Sequence, residues 1–309
     1  MNRRSAIRNL GVAGAVSFLR RLAFGSQTPD QPDFVIRSDV RLVLLDVSVK
    51  DRDGKSVAGL SADRFGVFEN GVAQRISVFA NEDLPVTVGI LVDESRSMTS
   101  KREQVIFAAE ALIGCGNPQD EVFVLNFNDT VTRGLPDGVL FSSDIGQLRA
   151  ALDRGTPSGM TALNDAVLEG LAQLEQGRRD KKSLIVISDG GDTVSRRTRR
   201  EMLEGIERSI ATTYTVGLFE PNDPDQDPGI LSQLARISGG ECYFPESASG
   251  MARVCRDIAA DIRTRYTLGY APAAKNGPGS LRRIQVNGTG PGHGKLTARP
   301  RTSYRYIPS

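Results

Sequence analysis

Asp93, Ser95 and Ser97 stand two residues apart in "DESRSMTS", directly after the apolar run "VTVGILV". In extended backbone that spacing turns one carboxylate and two hydroxyls to the same side. Two later segments carry the same chemistry: "SGMTALNDA" with Thr161 and "ISDGGDT" with Asp189. Together they supply two carboxylates and three hydroxyls, all hard oxygen donors, without a His or Cys. That set suits Mg²⁺, which takes about six oxygens near ~2.1 Å and usually keeps some waters. Mn²⁺ and Ca²⁺ are the alternatives. Two aspartates balance the ion's charge, while neutral hydroxyls and water leave it electrophilic toward a carboxylate donated by another molecule. Ser, Thr and Asp also dominate helix caps and turns, which accounts for any one of these residues taken singly.

Whether the three segments meet depends on the elements that carry them. From about residue 85 the apolar runs "VTVGILV", "VFVLNF", "SLIVIS" and "TYTVGL" are unbroken rather than alternating, as strands covered on both faces should be. Helical stripes separate them. The clearest runs Leu163, Ala166, Val167, Gly170, Leu171 and Leu174, an i, i+3, i+4, i+7 pattern. This alternation predicts an α/β fold with a doubly wound, mostly parallel sheet over 85–265. Such sheets bind ligands beyond the carboxyl ends of their strands. "DESRSM" and "ISDGGDT" each follow a strand and "SGMTALNDA" opens a helix, so all three meet that criterion.

The flanks read differently. Residues 37–84 are short β segments, with Asn70-Gly71 as a hairpin signal and "RDG" at 52–54 as a second turn. Residues 266–309 return to short strands between Gly- and Pro-rich turns. Neither flank has enough strands to bury a face alone, so the two are expected to pair into one small antiparallel β module around the central domain.

At this point the sequence resembles a known family. The D-x-S-x-S of "DESRS", the Thr of "GMTAL" and the Asp of "ISDGGD" match the metal-ion-dependent adhesion site of von Willebrand factor type A domains. The flanks look like those of the secreted, type A-related proteins of acidobacteria. The resemblance implies that Ser95, Ser97 and Thr161 ligate metal directly or after conformational change, with Asp93 and Asp189 often acting through water. It also implies a non-enzymatic adhesion module whose protein partner offers an Asp or Glu carboxylate. One departure stands out: the position between the serines, commonly Gly in the family, is Arg96. Its guanidinium either repels the ion, grips the incoming carboxylate or stays solvated. Asp165 reads as a helix-turn residue and Asp192 as a rim acid.

Other chemistries fit less well. A haloacid-dehalogenase-like phosphatase would use Asp93 as nucleophile, but it needs an acid two residues on, where Ser95 stands. An envelope scaffold with a vestigial site is the third reading. No G-x-x-x-x-G-K-[ST] loop and no G-x-S-x-G elbow occurs, and the single histidine, His293, lies in "GPGHG".

Composition, at 39% apolar and 25% charged, is that of a globular protein. The formal charge of +2 becomes −3 without residues 1–25, which hold five arginines and no acid. No basic field for nucleic acid survives that removal. The same 25 residues read as a cleavable export signal: a basic start, an apolar stretch at about 9–19, and small residues at Ala23 and Gly25. Arg3-Arg4 makes it twin-arginine-like. A polar linker at 26–36 follows. The expected location is periplasmic or secreted, with no transmembrane helix in the mature protein. Three cysteines cannot build a disulfide framework. Cys255 is expected buried on an apolar helix face, with a Cys242–Cys255 bridge as the lesser option. N-terminal sequencing of periplasmic protein should begin near Ser26, and recovery only of an intact Met1 form in the cytoplasm would overturn the export reading.

Overall fold

The computed structural model describes residues 42–219, 224–272, 279–290 and 296–306. The export signal, the linker at 26–36 and His293 lie outside them. The described residues belong to one compact unit.

Four strands come first: β1 (Val43–Lys50), β2 (Phe65–Glu69), β3 (Val72–Gln74) and β4 (Ile76–Ala80). β2 and β3 form a hairpin whose two turn residues, Asn70 and Gly71, both take positive φ. This is the backbone that a two-residue hairpin loop demands and Asn-Gly supplies.

The central domain then runs β5 (Val86–Asp93), α1 (Arg102–Gly114), β6 (Glu121–Phe127), β7 (Val131–Arg133), α2 (Ile145–Asp153), α3 (Leu163–Glu175), β8 (Lys181–Ser188), α4 (Arg199–Arg208), β9 (Thr212–Gly217), α5 (Pro228–Ser238), β10 (Cys242–Tyr243) and α6 (Ala248–Thr264). Its sheet has the order β10-β9-β8-β5-β6-β7, parallel except for the antiparallel edge strand β7. Every residue of β5 is buried, as the unbroken apolar run required. The stripe predicted on α3 is buried at all six positions. The fold is the α/β, mostly parallel one the alternation implies.

The last strands are β11 (Tyr266–Tyr270), β12 (Leu281–Gly288), β13 (Thr297–Arg299) and β14 (Ser303–Arg305). They interleave with the first four into two sheets, β13-β1-β11-β4 and β14-β12-β2-β3, around a core that includes Leu45, Val47, Val67, Tyr266, Leu268 and Val286. Arg282 is wholly buried there. It donates to Glu69 (2.6 Å), and the hydroxyls of Tyr270 and Tyr304 donate to the other Glu69 oxygen at 2.7 Å each.

Cys255 is buried among the helices, with Sγ 3.1 Å from the Ala108 carbonyl, and all three cysteines are free thiols. Among the described residues no helix is long and apolar enough to cross a membrane.

Arg265, at the α6–β11 junction, ties the β module to the central domain. It is 3% exposed, pairs with Asp261 (2.8 Å), and donates to the carbonyls of Asp46 and Gly239 at 2.8 Å each. Removing it strands the buried Asp261 carboxylate. Arg265→Leu should therefore lower unfolding stability by about 3–5 kcal/mol, measured by urea denaturation.

Candidate metal centre

The strand order reverses at β5. The chain leaves β5 for β6 on one side and returns through α3 to β8 on the other. The crevice beyond the carboxyl ends of β5 and β8 is therefore the switch point at which such sheets bind ligands. Asp93 ends β5, and Asp189 follows Ser188 at the end of β8.

The two aspartates are tied by a reciprocal clasp. Asp93 Oδ1 accepts the Ser95 amide at 2.9 Å, and its Oδ2 accepts the Ser188 hydroxyl at 2.6 Å. Asp189 Oδ1 accepts the Gly191 amide at 3.0 Å, and its Oδ2 accepts the Ser97 hydroxyl at 2.5 Å. Each carboxylate thus closes its own turn with one oxygen and reaches the opposite segment with the other. The hydroxyls of Ser97 and Ser95 lie 3.1 Å apart, which extends the chain to all four predicted residues of the two strand ends.

Thr161 sits beside this chain rather than in it. Its amide donates to the Thr193 hydroxyl (3.1 Å), its carbonyl accepts the Thr193 amide (2.8 Å), and its own hydroxyl takes no hydrogen bond among the described residues. Its loop is held against the first segment by the Ser158 amide on the Glu94 carbonyl (2.8 Å) and the Arg96 amide on the Gly159 carbonyl (3.3 Å).

Three other residues sort themselves by what they hold. Asp165 accepts the amides of Arg196 and Arg197 at 2.9 Å each, so it fixes the loop before α4. Asp192 is exposed and accepts from Asn164 (2.6 Å) and Ser195 (2.5 Å). The Arg96 side chain is exposed and forms no ion pair among the described residues.

Sequence reading passed over two residues. Ser188 is the donor that anchors Asp93, and its signal was its place directly before Asp189 on the same strand. Glu94 is buried against Arg102, which donates in turn to the Gly155 carbonyl at 2.6 Å. A carboxylate adjacent to the D-x-S-x-S positions thereby holds the loop that leads to Thr161. Gly190 has φ +87°, and a Cβ there would fall 2.3 Å from the Asp227 carbonyl oxygen. Only glycine lets the 225–227 chain pass this close behind Asp189.

Electrostatically the centre is unbalanced. Asp93 and Asp189 are 1% and 2% exposed, and no Lys or Arg forms an ion pair with either among the described residues. Burial first, and the facing Asp189 carboxylate second, push Asp93 up to about 7, against the pull of the Ser188 and Ser95 hydrogen bonds. Two buried carboxylates flanked by hydroxyls fit a hard divalent cation, which would relieve both causes of that rise. Among the described residues no three acids, histidines or cysteines are placed to hold a metal ion together, so such a cation would rely on hydroxyls and water for the rest of its shell.

Residues 88–191 match the family model of the von Willebrand factor type A domain, and that stretch holds all five of these residues. The chain carries a von Willebrand factor type A domain. Among solved structures, a von Willebrand factor type A protein from Catenulispora acidiphila aligns over 88% of this chain and 75% of its own, at 16% identity and TM-score 0.51. An aerotolerance-related membrane protein from Bacteroides fragilis aligns over 57% of this chain and 98% of its own, at 15% identity and TM-score 0.47. The domain of the type V pili tip protein Mfa5 from Porphyromonas gingivalis aligns over 58% and 97%, at 13% identity and TM-score 0.45. At these identities the likeness is one of fold. No curated protein matches the sequence.

The raised Asp93 of the type A domain has a thermodynamic signature. Between its ordinary value of 3.8 and about 7, the folded chain keeps a proton that the unfolded chain has lost. Stability contributed by this group therefore falls as pH rises through that window. In the presence of EDTA the melting temperature should decline from pH 4 to pH 7, and Asp93→Asn should flatten the decline.

Proposed function

We propose that this chain is an exported, periplasmic or secreted binding module, not an enzyme, that captures a protein partner through a metal ion. Mg²⁺, or Mn²⁺ or Ca²⁺ in its place, would be held by Asp93, Ser95, Ser97, Thr161 and Asp189. The ion would supply an open electrophilic position for an Asp or Glu carboxylate of the partner. The observation that carries the reading is the pair of buried carboxylates at the switch point, clasped by serines and paired with no Lys or Arg among the described residues. Two negative charges in that setting are costly unless a cation joins them. The chain's own residues divide the work: the aspartates give charge, the serines give direction, and Thr161 keeps an uncommitted hydroxyl. Phosphatase chemistry at Asp93 is not favoured, because Ser95 occupies the position where its general acid would stand.

Calorimetric titration with Mg²⁺ tests the reading. Asp93→Ala or Asp189→Ala should abolish metal affinity, since neutral hydroxyls cannot replace either charge. Thr161→Ala should weaken metal-dependent capture of partner more than it weakens resting metal affinity, because a ligand favours a state only through extra contacts made there. Capture from the envelope fraction should vanish with EDTA and return with Mg²⁺. Capture indifferent to chelator and to the Asp93 change would overturn the proposal.

A further inference from the structure

The turn between α5 and β10 is pressed against the chain that joins β13 to β14. A Cβ at Gly239, whose φ is +85°, would fall 2.5 Å from the Arg301 amide nitrogen. One at Gly240 would fall 2.0 Å from the Thr213 carbonyl oxygen. Glycine at both positions lets the chains approach this closely. The Thr302 amide donates to the Ile237 carbonyl at 3.0 Å, and Arg265 donates to the carbonyls of Gly239 (2.8 Å) and Arg299 (3.3 Å). The central domain and the β module are fixed to each other along this seam.

An open groove of about 400 Å³ runs beside it, lined by Ser232 and Arg236 of α5, by Glu241 and Cys242 at the sheet edge, and by Arg299 and Thr302. The charge of this lining is positive. Among the described residues Glu241 is its one acid, against two arginines. Glu241 is also satisfied: it pairs with Lys50 and Arg299 and accepts the Tyr243 hydroxyl at 2.9 Å. Burial pushes the Glu241 carboxyl up, but the Arg299 and Lys50 donors outweigh it and hold the group below its ordinary value. The donors of the groove are not used up. Arg236 is exposed, and neither its guanidinium nor the Thr302 hydroxyl takes a partner among the described residues. The Thr215 amide donates to the Glu241 carbonyl at 3.1 Å, and Cys242 stands opposite Thr215 in the parallel register. The Cys242 N–H therefore turns away from β9, and β10 is the last strand of its sheet, so no strand takes it. A groove of this volume is of small-molecule size. Guanidinium forks beside hydroxyl and amide donors are the chemistry that recognises an oxyanion.

We propose that the groove between α5, β10 and the β13–β14 chain binds a small molecule through an oxyanion, a carboxylate or a phosphate. The Arg236 and Arg299 guanidiniums hold the charge, and the Thr302 hydroxyl and Cys242 amide supply further donors. Arg236 and Cys242 belong to the central domain and Arg299 and Thr302 to the β module, so the ligand ties the two together. The site lies at the sheet edge, with β9 between it and β8, and does not depend on the metal reading.

The test is calorimetric titration of the full chain in EDTA with inorganic phosphate and, separately, with succinate. At least one should bind saturably at one site, and the tighter of the two tells a phosphate-bearing ligand from a carboxylate-bearing one. Its binding should also raise the melting temperature with concentration, because a ligand that binds only the folded chain stabilises it. Arg236→Gln removes an exposed guanidinium that holds nothing else in the fold. It should weaken the binding roughly tenfold, as loss of a charge-assisted hydrogen bond does, and shrink the rise in melting temperature. Absence of saturable binding by both anions would overturn the proposal, as would equal binding by the Arg236→Gln variant. A rise in melting temperature matched by sodium chloride at the same ionic strength would also overturn it, since screening alone would then account for the effect.

Discussion

Two carboxylates buried at the carboxyl ends of adjacent parallel strands are the constraint around which this domain is arranged. Asp93 and Asp189 repel each other where water cannot screen them, and among the described residues their donors are serine hydroxyls and backbone amides. Such a pair persists only if the surrounding structure over-determines it. The parallel register fixes the strand ends, with Val92 opposite Ile187. Ser188 and Ser97 then cross between the segments and hold each carboxylate from the far side. Behind them the 225–227 chain closes on Gly190, and the Asp227 amide binds the Asp189 carbonyl at 3.1 Å. The rest of the fold offsets the cost of holding two like charges, as it does where strain is stored at a functional site.

That rigidity extends into the β module. Its two sheets are woven from segments more than 180 residues apart, so neither flank can close without the other, and the central domain is inserted between them. The joint is polar. Arg265 reaches carbonyls of β1 and of the turn after α5 from one side, while Arg301 is 8% exposed and caps the end of α4 through the carbonyls of Ser209 (2.7 Å), Glu207 (3.0 Å) and Ile206 (3.2 Å). A cation at a helix C-terminus satisfies orphan carbonyls and complements the helix dipole. Because α4 follows the 192–198 loop directly, the same contact that docks the β module also steadies the loop beside the carboxylate pair.

What could be read in the sequence was whatever is written in local pattern. The unbroken runs gave β5, β6, β8 and β9, the 3.6-residue stripe gave α3, and Asn70-Gly71 gave the β2–β3 turn. The four residues of the two strand ends were recoverable because they follow those runs directly. Residues whose meaning depends on distant partners were not recoverable. Arg282 alternates into the core position of β12 between exposed Leu281 and Arg283, and a charge there makes sense only once its side chain reaches Glu69, 213 residues away, on β2. Glu94 was hidden for the same reason, since its partner Arg102 acts on a loop reached only through the fold. β7 is three residues long and half-buried at best, too short for any period to register.

The same residue types do two different jobs within this one domain, and geometry separates them where composition cannot. Asp165 spends both carboxylate oxygens on the amides of Arg196 and Arg197, and Asp144 caps α2 through the Gln147 amide at 2.7 Å. That is turn and cap chemistry, complete in itself, and it needs no ligand. Asp93 and Asp189 each give one oxygen to a comparable turn, but the second goes to a hydroxyl of the opposing segment. A hydroxyl donates one proton and keeps lone pairs, so Ser188 and Ser97 can bond a carboxylate and still face a cation with an oxygen. An amide has no such second face. Capping therefore explains the acids that bind amides alone; Asp93 and Asp189 differ in that a hydroxyl holds the second oxygen of each and keeps lone pairs of its own.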